Sequence, residues 1–169
     1  QAVIFPQKKQ PGVAKITQKS NSYQLANKVL KASFINTGGK LYFNGCSELG
    51  LQPDTELFKV LLGDGSTVSA SGMKLEDVKI VTLGEDPSAA TASLRYAGKA
   101  LEARFTYGDL SITWRAVLRD GSHYLRTEMD IKAARDLSMK GIVAMNYLVA
   151  KNSAYTAPEV VGNTRGAIL

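Results

Sequence analysis

An all-β fold, an antiparallel β-sandwich, is predicted by three features of this 169-residue chain. The stretch 110–131 (LSITWRAVLRDGSHYLRTEMDI) reads as a hairpin. About ten short strand-like runs follow one another closely, joined by Gly-rich turns. No segment carries a convincing helical period.

The hairpin is the clearest of these. Leu110, Ile112, Trp114, Ala116 and Leu118 alternate with Ser111, Thr113, Arg115, Val117 and Arg119, the pattern of a strand with one dry face. Asp120-Gly121 then supplies the pair that a type I′ turn favours, because both residues must take a positive φ. A two-residue loop would set Ile112 against Met129, Ala116 against Leu125, Leu110 against Ile131 and Trp114 against Thr127. A slip of one residue would turn the second strand's apolar set outward, so the register is well specified. On the other face lie Arg115, Arg119, Tyr124, Arg126, Glu128 and Asp130, with Arg115 directly opposite Arg126. Like charges so placed repel unless a carboxylate or a ligand separates them.

The remaining elements follow in order. Residues 1–22, with Pro6, Pro11, Gly12 and several Lys and Gln, read as a flexible arm with a short strand at 13–17. The β-sandwich domain is expected over 23–169. Residues 23–35 (YQLANKVLKASFI) fit either a helix or a strand, and the turn Asn36-Thr37-Gly38-Gly39 before the aromatic run LYF favours a hairpin. Residues 44–54 read as a loop, with Cys46 a small packing residue. Residues 56–62 and 67–70 flank Gly63-Asp64-Gly65 as a second hairpin. Residues 74–83 end in a strand-like IVTL, and Asp86-Pro87 marks a turn. Residues 89–96 and 100–107 read as strands around Gly98-Lys99. Residues 141–150 (GIVAMNYLVA) read as a buried strand, and 152–169 as a loop and an unfinished final strand.

Composition bounds the function. The length suits one domain with its own core, and 44% hydrophobic residues argue against wholesale disorder. No apolar run approaches the ~20 residues of a membrane span, so no membrane span is expected. One cysteine excludes an intrachain disulfide, and Cys46 with His123, the one histidine, is too few for a zinc site. The net charge of +6 raises nucleic acid as a partner. Its positive charges read as dispersed and no stacking platform is evident, so no nucleic-acid partner is expected. The first residue, Gln1, and the apolar finish NTRGAIL are read as a removed signal segment and a cut within a longer protein.

No catalytic motif stands out. GGK at 38–40 lacks the spacing of a phosphate loop, and GDGS at 63–66 fits a tight turn better than a calcium loop. No Asn-x-Ser/Thr sequon and no G-x-S-x-G elbow occurs. Strand parity sends His123 to the apolar side of the hairpin, opposite Leu118, where a structural histidine is expected. Glu128 and Asp130 share a face at roughly 6.5–7 Å between Cα atoms, within reach of a glycosidase pair. Neighbours on one strand rarely embrace a bond from both sides, however, and Glu128 is expected to pair with Arg126 or Arg115.

Two stretches carry a resemblance. YQLANKVLKASFINTGGKL at 23–41 resembles the opening strand and turn of galactose-mutarotase-like domains. ITWRAVLRDGSHYLRTEMDI at 112–131 is similar to the hairpin of such domains in front of large secreted glycoside hydrolases of Bacteroides-type bacteria, the endo-α-N-acetylgalactosaminidase and α-galactosidase-like groups. The resemblance implies a β-supersandwich, here incomplete, that packs as a non-catalytic companion on a separate catalytic barrel. Mutarotases proper work with histidines and a glutamate, and this chain offers only His123.

The expected function is therefore a non-catalytic, carbohydrate-associated domain of a secreted, periplasmic or cell-surface protein. Its partners would be a glycan or the protein's own downstream catalytic domain, with no cofactor. Tyr124 is expected to stack a sugar ring while Arg115, Arg126 and Glu128 bind hydroxyls. Trp114 is expected in the core. A cell-surface adhesin or toxin-like protein-binding module is the alternative, and a stand-alone glycosidase a weaker one.

Overall fold

A computed structural model describes residues 10–46, 55–134 and 139–144 of the chain. Among these residues there are eleven strands, all paired antiparallel, and no α-helix. The fold is an antiparallel β-sandwich, as its short, Gly-punctuated strands predict.

The first sheet is a meander, β1 (Lys15–Lys19), β2 (Ser22–Ala26), β3 (Lys31–Thr37) and β4 (Lys40–Cys46), in that spatial order. A third, smaller sheet starts with β5 (Phe58–Leu62) and β6 (Thr67–Ser69). The second large sheet holds β7 (Lys74–Leu83), β8 (Gly98–Tyr107), β9 (Leu110–Arg119) and β10 (Arg126–Ala133), again each beside the next. The last strand, β11 (Met139–Ala144), pairs with β5 and completes the three-stranded sheet.

Alternation builds the core. Tyr23, Leu25, Ala32, Phe34, Leu41 and Phe43 face inward from the first sheet; Leu101, Phe105, Leu110, Ile112, Trp114 and Leu118 face them from the second. Trp114 is fully buried, and its ring meets Phe34 edge-on at 5.5 Å between centroids. Phe58 brings the small sheet into the same core through an edge contact with Phe105 at 5.1 Å. Such edge-to-face rings add about 0.5–1.5 kcal/mol each beyond the area they bury.

Several expectations are met and several are refined. Residues 23–35 are strand rather than helix, but as two strands broken at Asn27, whose side-chain oxygen accepts the N–H groups of Val29 and Leu30. Gly38 and Gly39 both take positive φ, the type I′ condition, and set Thr37 opposite Lys40. The strand expected at 13–17 is β1, bonded along its length to β2. The second hairpin forms around 63–65, where Asp64 accepts both the N–H and the hydroxyl of Ser66. Cys46 is buried as expected, though at the end of β4 rather than in a loop. Residues 145–150 and 152–169, read as the end of a strand, a loop and a final strand, lie outside the described residues, as do 47–54.

The strand expected at 89–96 is not there. β7 and β8 pair directly with each other, down to Leu83 opposite Gly98, so the intervening residues are left to connect the two strands. They form the loop of a long hairpin instead, with one 3₁₀ turn at Ala92–Leu94 and the Arg95 Nε–H donated to the Ala89 carbonyl.

The central hairpin forms, with a different turn. Only Gly121 takes a positive φ, so Asp120-Gly121 is not a type I′ pair. Residues 120–125 make a six-residue connection, and β10 begins at Arg126. Tertiary bonds account for this. The Asp120 carboxylate accepts the Ala14 N–H at 2.7 Å, Gly121 donates to the Gly12 carbonyl, and the Asn27 amide donates to the Ser122 carbonyl at 2.7 Å. The loop is thus the point where the first sheet is tied to the second. The register is displaced by two from the expected one: Trp114 faces Met129, Ile112 faces Ile131 and Ala116 faces Thr127. Because the displacement is even, every inward residue remains inward.

Replacing Asp120 with Ala removes the acceptor of a partly buried N–H. A loss of about 1–3 kcal/mol is expected by urea denaturation, with hydrogen exchange at Ala14 speeded by local opening and that at the Trp114 amide speeded only as far as the global loss dictates.

Candidate functional site

The outward face of the second sheet carries the charges that the sequence singled out. Registers run Lys79–Glu102–Arg115–Glu128 straight across β7, β8, β9 and β10, so that signs alternate from strand to strand. Glu102 is the anchor of this row. It is 9% exposed, accepts from the Arg115 Nε–H, and holds Lys79 Nζ at 3.0 Å. Arg126 lies 3.8 Å from Glu128, and Lys132 lies 4.0 Å from Asp130. The latter two pairs are solvated and each worth about 0–1 kcal/mol.

This arrangement corrects one expectation. Arg115 does not oppose Arg126; it opposes Glu128, while Arg126 opposes Val117. The two-residue shift replaces a repulsive pair by an attractive one, and Glu102, from a neighbouring strand, supplies a second counter-charge. The anticipated pairing of Glu128 with Arg126 is present at the distance of a loose ion pair.

Tyr124 and His123 are also placed differently. Both belong to the 120–125 connection rather than to a strand, and both are exposed. His123 is therefore on the surface and not toward the core. Tyr124 is 77% exposed, with its backbone N–H accepted by the Ser122 hydroxyl and its carbonyl receiving that same hydroxyl. An exposed ring thus stands on a loop fixed to both sheets, one residue ahead of the half-buried Leu125 and two ahead of Arg126. Trp114 lies in the core, as its parity requires.

Sequence reasoning missed Glu102 and Lys79. The alternation in ALEARF marks Glu102 as outward, but only the pairing of β8 between β7 and β9 puts it among two cations. Burial raises the Glu102 pKa, yet hydrogen bonds from Lys79 and Arg115, with their charges, outweigh it and hold the carboxyl below its usual range. Among the described residues, no group of His, Cys, Asp and Glu has the geometry to hold a metal ion, and no helix is long and apolar enough to cross a membrane.

What the fold and this face define is an antiparallel β-sandwich domain with a salt-bridged outer sheet, and Tyr124 is the most exposed tyrosine among the described residues, ahead of Tyr96 and Tyr107. No family model, curated protein or solved structure matches the chain.

Because the Glu102 pKa is depressed on folding, its contribution is present above the unfolded carboxylate pKa and is lost as pH falls through the folded value. Glu102→Gln is expected to cost about 1–3 kcal/mol at pH 7, measured by urea titration. The gap from the unmodified protein should narrow as pH drops below the ordinary carboxylate range.

Proposed function

We propose that this chain is a non-catalytic, carbohydrate-associated β-sandwich domain of a secreted glycoside hydrolase, a galactose-mutarotase-like supersandwich that supports a catalytic domain or contacts glycan. The observation that carries the reading is Tyr124: a ring 77% exposed on a loop held by the Asp120–Ala14, Gly121–Gly12 and Asn27–Ser122 hydrogen bonds. A rigid, exposed aromatic ring offers an apolar face to a sugar at small entropic cost.

Arg126 and Glu128 follow it on β10 and supply donors and acceptors for hydroxyl groups. Arg115, across from Glu128 in the same outward row and bound to Glu102, adds a further donor to that face. The non-catalytic part of the reading draws on the same charges. Glu128 pairs with Arg126 at 3.8 Å and Asp130 with Lys132 at 4.0 Å, and both acids stand on one strand, a placement poorly suited to flanking a scissile bond from both sides.

Glycan-array binding tests this. Tyr124→Ala and Arg126→Ala are each expected to weaken saccharide binding about tenfold, ~1.4 kcal/mol, without changing the thermal midpoint by more than a degree or two. Binding to protein ligands alone would support the adhesin alternative instead, and turnover of aryl glycosides by the chain would overturn the non-catalytic reading.

A further inference from the structure

The charge of this protein is segregated. Residues 1–46 contain seven lysines, no arginine and no acid, while the rest of the chain is close to balance, with 15 acids against 14 Lys and Arg. Folding puts much of that excess on one surface. Ile16, Tyr23, Leu25, Ala32 and Phe34 point into the core, so Lys15, Thr17 and Lys19 of β1, Gln24 and Ala26 of β2, and Lys31 and Ser33 of β3 point out. Registers place Lys15, Ala26 and Lys31 in one row and Thr17, Gln24 and Ser33 in the next. Lys15 and Lys31 are thus two strand spacings apart, about 9.5 Å, and Lys19 is about 13 Å along β1 from Lys15.

A shallow groove of about 530 Å³ opens at one end of this face, lined by Gly12, Lys15, Thr17, Gln24, Asn27 and Lys28, among others. The Lys28 stem lies along Gly12, where an added Cβ would come within 3.3 Å of its Cε. Lys15, Lys19, Lys28 and Lys31 make no ion pair with any described residue, in contrast to the outer face of the second sheet, where Lys79, Arg115, Arg126 and Lys132 are each answered by an acid.

We propose that the outward face of the first sheet is a second binding surface, independent of the Tyr124 loop, and that it takes an anionic polysaccharide bearing sulfate or carboxylate groups. Unanswered lysines supply point charges, and Thr17, Gln24 and Ser33 between them supply hydrogen-bonding groups suited to sugar hydroxyls. Nucleic acid fits the same face poorly. Its aromatic residue, Tyr42, is half-buried opposite Ile35, so no ring stands clear to stack a base. It has no arginine to fork onto phosphate or guanine.

The experiment compares the whole chain with the triple variant Lys15→Gln, Lys28→Gln, Lys31→Gln. A control triple, Lys74→Gln, Lys99→Gln, Lys132→Gln, removes equal charge from the second sheet. Probes are dextran sulfate, polygalacturonate, neutral dextran and a single-stranded oligonucleotide, titrated at low salt. Expected are binding of one or both anionic polysaccharides more tightly than neutral dextran, an affinity for them that falls with added salt, and a loss of about tenfold or more in the first triple against less than twofold in the control, with any dextran binding unchanged in both. Restoring the positive charge as Lys15→Arg, Lys28→Arg, Lys31→Arg should retain most of the affinity. Equal losses in both triples, no binding of either anionic polysaccharide, or an oligonucleotide bound as tightly as they are would each overturn the proposal. None of these outcomes bears on the neutral-glycan arm at Tyr124, so the two readings fail separately.

Discussion

The contact of Trp114 with Phe34 is the constraint on which the architecture depends. These two residues lie on the central strands of the two large sheets, and their rings meet edge-on in the middle of the core. Phe43 adds a second edge contact to Phe34 at 5.4 Å. Truncating a ring so placed costs about 3–5 kcal/mol in comparable cores, a large share of a small domain's net stability. The position is not free of cost: the Trp114 indole N–H is buried with no acceptor among the described residues, a penalty of about 1–3 kcal/mol. The apolar area of the ring outweighs it, and the residue stays in.

Fixing Trp114 inward fixes everything else on β9 by alternation. Thr113 and Arg115 must point out, and their partners on β8 and β10 with them, so that Glu102 and Glu128 fall beside Arg115. The ion-pair row across the second sheet is therefore a consequence of where one indole is buried, together with the registers. Of its members only Glu102 is withdrawn from water, and it alone has partners close enough to offset that withdrawal.

How much of this was legible in the chain depended on whether local pattern or tertiary contact decided it. Parity was legible: the alternation of 110–118 placed Trp114 in the core and Arg115 outside it. The tight turns at Gly38-Gly39 and Asp64 were legible because the turn chemistry is local. The Asp120-Gly121 turn was misjudged for the opposite reason. Its two residues suit a type I′ hairpin, but Ala14, Gly12 and Asn27, distant in sequence, compete for the same groups and hold the loop open over six residues. Hairpin register went with it, by two places, which preserved the faces and changed the neighbours. The strand assigned to 89–96 failed similarly, since β7 and β8 pair directly with each other and leave those residues as their connection. The basic first sheet was also in plain view, as 46 residues without an acid. Along the chain those lysines are dispersed; only the fold's grouping of β1 to β3 gathers them onto one surface.

The two outer faces of the sandwich thus treat charge in opposite ways. On the second sheet, Lys79, Arg115, Arg126 and Lys132 each lie within 4.0 Å of an acid, which offsets much of their charge locally. On the first, lysines spaced about 9.5–13 Å apart repel one another, yet at physiological salt that spacing is at or beyond the ~8 Å screening length, so the repulsion costs the fold little. Exposed lysines with no ion-pair partner among the described residues also lose nothing to desolvation. A positive surface can therefore be kept on this sheet without a compensating acid, and its potential remains available to an approaching anion because nothing in the described structure cancels it.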